Sequence, residues 1–246
     1  MAQPTRLYTD LAPWFHLLTA PEDYAEEAAS YRAALVAACE SPPRTLLELG
    51  SGGNNTSHLK AHFEMTLVDL SPGMLDISRS INPECEHLER DMRDVRLGRL
   101  FDAVFIHDAI VYMTTASGLA GAIETAFVHC RPAGVALFCP DDTRENFRPT
   151  TSHGGHDSGD RGLRYLQWAW DPDPADTSHI TDFAYLLREG GEVRCEYDRH
   201  VSGLFAHDEW LRLIAEAGFE AWALQFEHSE LESGSLEMFL GVKPDG

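Results

Sequence analysis

Residues 46–59, LLELGSGGNNTSHL, decide the fold. An apolar run ends in a carboxylate, breaks into glycines and restarts as something helix-like. A strand, a glycine turn and a helix in that order cradle a nucleotide-like ligand. The turn lets the backbone come close, and the helix N-terminus presents free N–H groups. More than one such ligand uses this architecture, and the choice decides the chemistry.

The pattern extends in both directions. Upstream, PEDYAEEAASYRAALVAACE reads as a helix opened by Pro21, with acidic residues in its first turn. Tyr24, Ala28, Tyr31, Leu35 and Cys39 fall at helical spacing and form one apolar stripe. Downstream come a strand over 45–48, a helix over about 55–63, and a strand, MTLVD, ending at Asp69. SPGMLDISRSI follows as a helix with Ser71 at its cap and Pro72 at its first position. CEHLER is a short strand, FDAVFIH a strand ending near His107, TTASGLAGAIETAFVHC a helix and GVALFCP a buried strand. Alternating strands and helices imply an α/β fold, a parallel sheet with helices on both faces. Ligands then belong at the carboxyl ends of the strands.

The rhythm breaks after Pro140. Residues 141–162 are polar and turn-rich, and loops of that length are lids, binding loops or disordered segments. LRYLQWAW, HITDFAYLLR and EVRCEYDRHVSGLF follow as strands, the last two joined at EGGE by a hairpin turn. This reads as an antiparallel insert. HDEWLRLIAEAGF is a closing helix, and AWALQFE and SLEMFLGVK supply the last two strands. The expected division is a helical cap over 1–40, a ligand-binding core over 41–140 and 204–246, and an acceptor-binding loop and insert over 141–203.

Composition narrows the function. A domain of 246 residues needs no disulfide or metal staple. The formal net charge of −21 and the lack of a basic run argue against nucleic acid as a partner. No apolar run approaches the roughly 18 residues of a membrane span, and no targeting segment is visible, so a cytoplasmic location is expected. The five scattered cysteines, with no C-x-x-C pair, fit a reducing compartment. His153, His156 and Asp157 lie in HGGHD, but Gly154 and Gly155 give them no rigid scaffold, so no metal site is expected.

A dinucleotide fingerprint needs G-x-G-x-x-G. Gly50, Ser51 and Gly52 satisfy its first half, but Asn55 stands where the third glycine belongs and glycine falls at Gly53 instead. Glu48, just before the turn, repels a pyrophosphate and attracts the ammonium of an amino-acid-like ligand. Asp69, about twenty residues on, can accept both hydroxyls of a ribose. Met74 can pack a polarizable side chain on an adenine face. Asp91 can accept from an exocyclic amine, or equally pair with Arg90 or Arg93.

Taken jointly, LLELGSGGN, LVDLSPGML, ERDM and FDAVFIHDAIVYM resemble the motifs of the class I S-adenosylmethionine-dependent methyltransferases. The resemblance implies a Rossmann-like fold with a mostly parallel seven-stranded sheet. It also implies S-adenosyl-L-methionine as methyl donor, with S-adenosyl-L-homocysteine as product. By this resemblance Gly50, Ser51 and Gly52 approach the methionyl part and Glu48 helps to hold its ammonium. Asp69 and Leu70 lie at the ribose, Met74 at the adenine face, Asp91 at the adenine amine and the Met92 amide at a ring nitrogen. His107 and Asp108 would lie beside the sulfonium and the acceptor. LYTDLAPWF looks like the cap of small-molecule members, so Tyr8 and Tyr24 are candidates to close over the cofactor and Arg32 a candidate for its carboxylate.

Methyl transfer from a sulfonium is an in-line displacement in which the protein supplies orientation and proton control. His107, His153, His156 and His200 are the base candidates, in that order, because imidazole titrates near pH 6.5. The fourth motif lacks the Asn/Asp-Pro-Pro-aromatic signature of DNA and protein amine methylation, which leaves a small-molecule acceptor, N or O. The insert's position is similar to that in sugar N,N-dimethyltransferases and small-molecule O-methyltransferases. Tyr165, Trp168, Trp170, Phe183 and Tyr185 could line the acceptor pocket, fill the sheet core, or form a homodimer interface through 163–203. Two alternatives stay open: a non-catalytic cofactor-binding protein, and an NAD(P)-dependent reductase.

Overall fold

The structure, a computed structural model, describes residues 5–226 and 236–245. The strands are β1 (Thr45–Leu49), β2 (Glu64–Asp69), β3 (Glu86–Glu89), β4 (Phe101–His107), β5 (Cys130–Cys139), β6 (Thr150–Gly154), β7 (Asp157–Ser158), β8 (Arg161–Trp170), β9 (Ser178–Glu189), β10 (Glu192–Gly203), β11 (Glu220–Phe226) and β12 (Leu236–Val242). The α-helices are α1 (Phe15–Leu18), α2 (Ala25–Ala38), α3 (Asn54–Leu59), α4 (Pro72–Ile81), α5 (Ala116–His129) and α6 (His207–Glu216). Seven strands form one sheet in the order β11-β12-β5-β4-β1-β2-β3, parallel except for β12, which runs antiparallel to both neighbours. The chain has the Rossmann-like α/β fold that the alternation implies.

Strand alternation sorts the core. Leu47 and Leu49 of β1, with Val104 and Ile106 of β4, face a cluster completed by α5 and α6. Leu46 of β1 and Ala103 and Phe105 of β4 face the other way, onto Ala28, Tyr31 and Leu35 of α2. Glu48 and His107 share that second face by parity, so the sheet aims both at α2 and α3. On α6, Trp210, Leu213 and Ile214 are buried at i, i+3 and i+4, and Trp210 stacks on Phe239 at 5.1 Å.

The insert is a separate antiparallel sheet in the order β10-β9-β8-β6, with β7 paired to β8. The turn at Gly190 and Gly191 joins β9 to β10, with Glu189 opposite Glu192. Its inner face, with Leu163, Phe183, Tyr185 and Leu187, packs on Leu7, Leu11, Trp14, Phe15 and Leu17 of the N-terminal segment and on Met74 of α4. The insert aromatics therefore divide. Tyr185 is fully buried, while Trp168 stands 55% exposed on the outer face.

Three local expectations change. The helix expected over 55–63 is shorter, because the chain must turn after Leu59 to enter β2 at Glu64. The helix over 21–40 starts as a 3-10 turn at Pro21–Tyr24 and becomes α-helical only at Ala25. The expected loop over 141–162 contains β6, paired antiparallel with β8. β6 lies at a sheet edge with mostly exposed side chains, so it carries polar residues and no apolar period. Two predicted strand ends, Glu227 and Ser235, lie outside the described residues. Among the described residues no helix is long and apolar enough to cross a membrane.

Candidate active site

The glycine turn after β1 is built by two short constraints. The Gly50 and Ser51 amides donate to the Val68 carbonyl at 2.7 and 3.0 Å, which pins the turn to β2. Gly50 sits at φ +78°, and a Cβ there would run into Ala109 and the Met92 side chain. Gly53 performs the packing that the dinucleotide fingerprint assigns to a later position, since a Cβ on it would lie 2.6 Å from Ser78 of α4. Gly52 opens toward Phe15 and Met74, whose ring and methyl lie 3.3 and 3.4 Å from where its Cβ would be. That opening lies between β1 and the N-terminal segment.

Glu48 is buried and accepts a hydrogen bond from the Thr56 hydroxyl of α3. Burial pushes its carboxyl upward, against the opposing pull of Thr56. Asp69 ends β2 with Oδ1 on the Ser71 amide at 2.7 Å and no side-chain partner among the described residues. Burial holds it at about 6, despite the amides of Ser71 and Leu70. Ser71 also caps α4, accepting from the Met74 amide at 3.2 Å, while its hydroxyl donates to the Tyr8 carbonyl at 2.5 Å. One residue thus ties the N-terminal segment to the end of β2.

A second group gathers at the ends of β4 and β5. His107 has both ring nitrogens engaged, Nδ1 by the Asn55 amide at 3.3 Å and Nε2 by Asp108 at 3.0 Å, with Glu27 at 3.6 Å. Asp108 adopts φ +34°, a strained position for a non-glycine residue, held by its N–H on the Cys139 carbonyl. Glu27, Asp108, Asp141 and Asp142 crowd this point. Asp108 and Asp141 share a hydrogen bond; Asp108 is half-buried and Asp141 is exposed just after β5. Desolvation raises Asp108 to about 6, and Glu27 and Asp142 to about 7, while Asp141, exposed at its outer side, is raised by partial desolvation and by the neighbouring charge of Asp108. Tyr24 joins through a ring contact with His107 at 6.2 Å and a hydrogen bond from Thr19.

The other predicted residues scatter. Asp91 is taken by Arg93, whose guanidinium lies 2.5 Å away and holds its carboxyl below the ordinary range. Met92 packs against the core beside Gly50. Leu70 is 64% exposed at the end of β2. Arg32 is half-buried on α2, with no hydrogen bond or ion pair among the described residues. His153 is exposed on β6, opposite Leu166. His156 pairs with Asp23 at 3.1 Å and lines a different cleft of about 490 Å³ with Pro13, His16, Pro21 and Arg161. Asp157 is held by Arg164 and Arg188. His153 and His156 are therefore not gathered with Asn55, Glu27 and Asp108 around His107.

Sequence reasoning passed over Glu27, Asp141 and Asp142 as acceptors of chemistry. Tyr112 is the hub of a hydrogen-bonded chain whose inner end, His200 and Asp198, is buried. Its hydroxyl lies 2.8 Å from that of Tyr8 and 2.9 Å from His200 Nδ1, and His200 Nε2 lies 3.2 Å from Asp198.

The donor set fits an adenosyl amino-acid ligand. Asp69 is a half-buried, under-satisfied carboxylate of the kind that vicinal hydroxyls complete, and it stands beside the glycine turn pinned to Val68. Residues 46–134 match a family described as a methyltransferase domain. Fold, site and match together identify the chain as a class I S-adenosylmethionine-dependent methyltransferase. It is similar to the dTDP-3-amino-3,4,6-trideoxy-alpha-D-glucopyranose N,N-dimethyltransferase of Streptomyces venezuelae, at 28% identity over 90% of this chain and 92% of that one. Among solved structures, Streptomyces venezuelae DesVI superposes with a TM-score of 0.83 at 24% identity, over 96% of this chain and 98% of the other. The sugar N-methyltransferase KedS8 from Streptoalloteichus gives 0.80 at 25% identity, over 91% and 89%. The reductase and non-catalytic alternatives are not favoured by these matches.

Proposed function

We propose that this methyltransferase acts on the amine of a nucleotide-linked amino sugar. The observation that carries the reading is the gathering of Glu27, Asp108 and Asp141 around His107 at the ends of β4 and β5, with Asp142 beside Asp141. Carboxylates held close together lower each other's charge and are relieved by cations, and an amino sugar arrives as an ammonium. A neutral hydroxyl would leave that repulsion in place. The names of the relatives above support the same acceptor class.

In this reading S-adenosylmethionine supplies a methyl group on a sulfonium. Asp69 would accept the ribose hydroxyls, Met74 would pack on the adenine, and Glu48 would draw the methionyl ammonium, with Tyr8 and Tyr24 over the site. Asp91 keeps a free edge for an adenine amine only if Arg93 turns aside. Asp108 and Glu27 would orient the acceptor ammonium, and proximity of the aligned partners can be worth roughly 7–11 kcal/mol. The insert would close the acceptor side. The free cysteines fit a reducing cytoplasm.

The test is a methylation assay with amino-sugar nucleotides set against hydroxyl analogues, after calorimetry with S-adenosylhomocysteine and NADH. Micromolar binding of the former and methyl transfer to the amine are expected. Transfer to hydroxyl analogues alone would overturn the acceptor class.

The outer face of the insert also supports a homodimer. Leu166 and Tyr197 flank Ala184 in register, next to Leu186, Val193 and Trp168, all large side chains among them exposed. An isologous pairing of two such faces would cover them. Light scattering is expected to give a dimer for the wild type and a monomer for Trp168→Arg/Tyr197→Arg; a wild-type monomer at tens of micromolar rejects the interface.

A further inference from the structure

We propose that Tyr8, Tyr112, His200 and Asp198 form a one-way hydrogen-bond ladder that removes the acceptor amine's proton, with His200 as the proton's resting place. The proposal rests on the amine reading above. The direction of the ladder follows from its inner end. Asp198 is buried, and it accepts from the amides of Leu7 at 2.8 Å, Arg6 at 3.2 Å and Arg199 at 3.0 Å. Burial alone would raise its carboxyl, but His200 and the Leu7 and Arg6 amides hold it below the ordinary range. An ionised carboxylate only accepts, so His200 Nε2 at 3.2 Å must donate to it. In a neutral imidazole the other nitrogen is then an acceptor.

That fixes the rest. Tyr112, 2.9 Å from Nδ1, spends its single hydrogen on His200. Tyr8, 2.8 Å from the Tyr112 oxygen, must then donate to Tyr112. Every hydrogen points toward Asp198, and the Tyr8 oxygen is left as acceptor at the outer end, near enough to Asp108 to feel its charge. Burial raises both phenols, and the charge of Asp108 adds to it, so neither tyrosine holds a negative charge and each hands its proton on. Phe183, 4.7 Å from the His200 ring, shields the inner end.

The step balances as follows. The N–H bond of the acceptor ammonium breaks and its electron pair stays on nitrogen. That proton joins the Tyr8 oxygen, the Tyr8 hydrogen moves to Tyr112, and the Tyr112 hydrogen moves to His200 Nδ1. The products are a neutral amine, free to attack the methyl group, and an imidazolium paired with Asp198. The same ladder returns the proton to water after release. His107 is less suited, because Asn55 and Asp108 occupy both its nitrogens. The clustered carboxylates are less suited too, since each would lose by protonation the charge that attracts the cation.

The titratable groups facing His200 are Asp198 on its own strand, Tyr112 from the 3-10 turn and Tyr8 from the N-terminal segment. Asp198 acts on Tyr185 of β9, Asp108 and Asp141 act on Tyr112, and the Arg6 charge is bound by Asp10 and Glu196.

Two measurements test the ladder. In apo protein, nitrogen-15 NMR is expected to show His200 protonated on Nε2 and bare on Nδ1 at pH 8; a proton on Nδ1 overturns the direction. With amino-sugar acceptor, His200→Gln is expected to lower kcat about 100-fold at pH 7, with S-adenosylhomocysteine affinity unchanged. The loss should shrink above about pH 8, where the amine sheds its proton unaided. Wild-type methylation with parallel pH profiles for both proteins refutes the ladder and leaves the amine reading intact. Wild type that binds S-adenosylhomocysteine yet methylates no amino sugar refutes the amine reading, and the ladder with it.

Discussion

Gly50→Ala is expected to abolish S-adenosylhomocysteine binding and to lower stability by about 3–5 kcal/mol, the combined cost of a left-handed non-glycine residue and an overpacked contact. Gly50 holds φ +78° while its amide reaches back to Val68, so the turn cannot relax toward negative φ without breaking that bond. The added methyl would meet Ala109, the first residue of the 3-10 turn Ala109–Tyr112. Pushing that turn moves Asp108 on one side and Tyr112 on the other, so the damage reaches both the carboxyl group and the tyrosine chain. Gly98→Ala separates the two causes. Gly98 has φ +68° but open space around it, so its variant should lose only about 1–2 kcal/mol and bind normally. Thermal melts and calorimetry on both variants decide the matter. Equal losses would mean that the collision at Gly50 is absent.

Residues near strand ends were the most legible in the sequence, because parallel strands place their ends at one edge and the motif order names the strands. Glu48, Asp69 and His107 are of this kind. Glu27 was illegible for a physical reason: an acidic residue in a helix's first turn is already explained by the helix dipole. It comes within 3.6 Å of His107 only because α2 packs on β1 and β4. Asp141 and Asp142 looked like loop solvent. The Asp198 and His200 pair was hidden more deeply. Asp198, His200 and Ser202 lie at alternate positions of β10 and all three are buried, a polar period of two on the inward face. Polar alternation reads as a solvent face until the partner strand shows otherwise, here Phe183 opposite Asp198. HGGHD failed in the opposite way. Its histidines are conspicuous in one dimension, but β6 and the turn after it carry them to the surface and to the cleft beside Pro13.

The N-terminal segment links the layers, which bears on how the site closes. Ser71 of the core holds the Tyr8 carbonyl, and Asp198 of the insert holds the Leu7 and Arg6 amides. The two ends of the ladder, Tyr8 and Asp198, are therefore both tied to the N-terminal segment, although they lie far apart in sequence. Moving the segment around Tyr8 breaks these bonds, so its position is coupled to both the core and the insert.

Asp69→Asn is expected to move binding and stability in opposite directions. At pH 8 the variant should bind S-adenosylhomocysteine about 30- to 100-fold more weakly, the worth of about 2–3 kcal/mol in charge-assisted hydrogen bonds to hydroxyls. Wild-type affinity should itself fall as pH drops below about 6, the value to which burial raises this carboxyl. The decline approaches tenfold per pH unit, because the ligand then competes with a proton. The variant has no such group and should show a flatter profile. The apo protein obeys the other sign. A carboxyl whose folded value exceeds its unfolded value binds protons better when folded, so its contribution to stability is lost as pH rises from about 4 to about 6. Asparagine escapes that loss, so the apo variant at pH 8 should be as stable as wild type or up to about 2 kcal/mol more so. Calorimetric titrations and melts at pH 5 and pH 8 read both effects. An affinity change below threefold removes Asp69 from the ribose; a variant that binds weakly and also melts earlier means that the carboxylate holds the fold rather than the ligand.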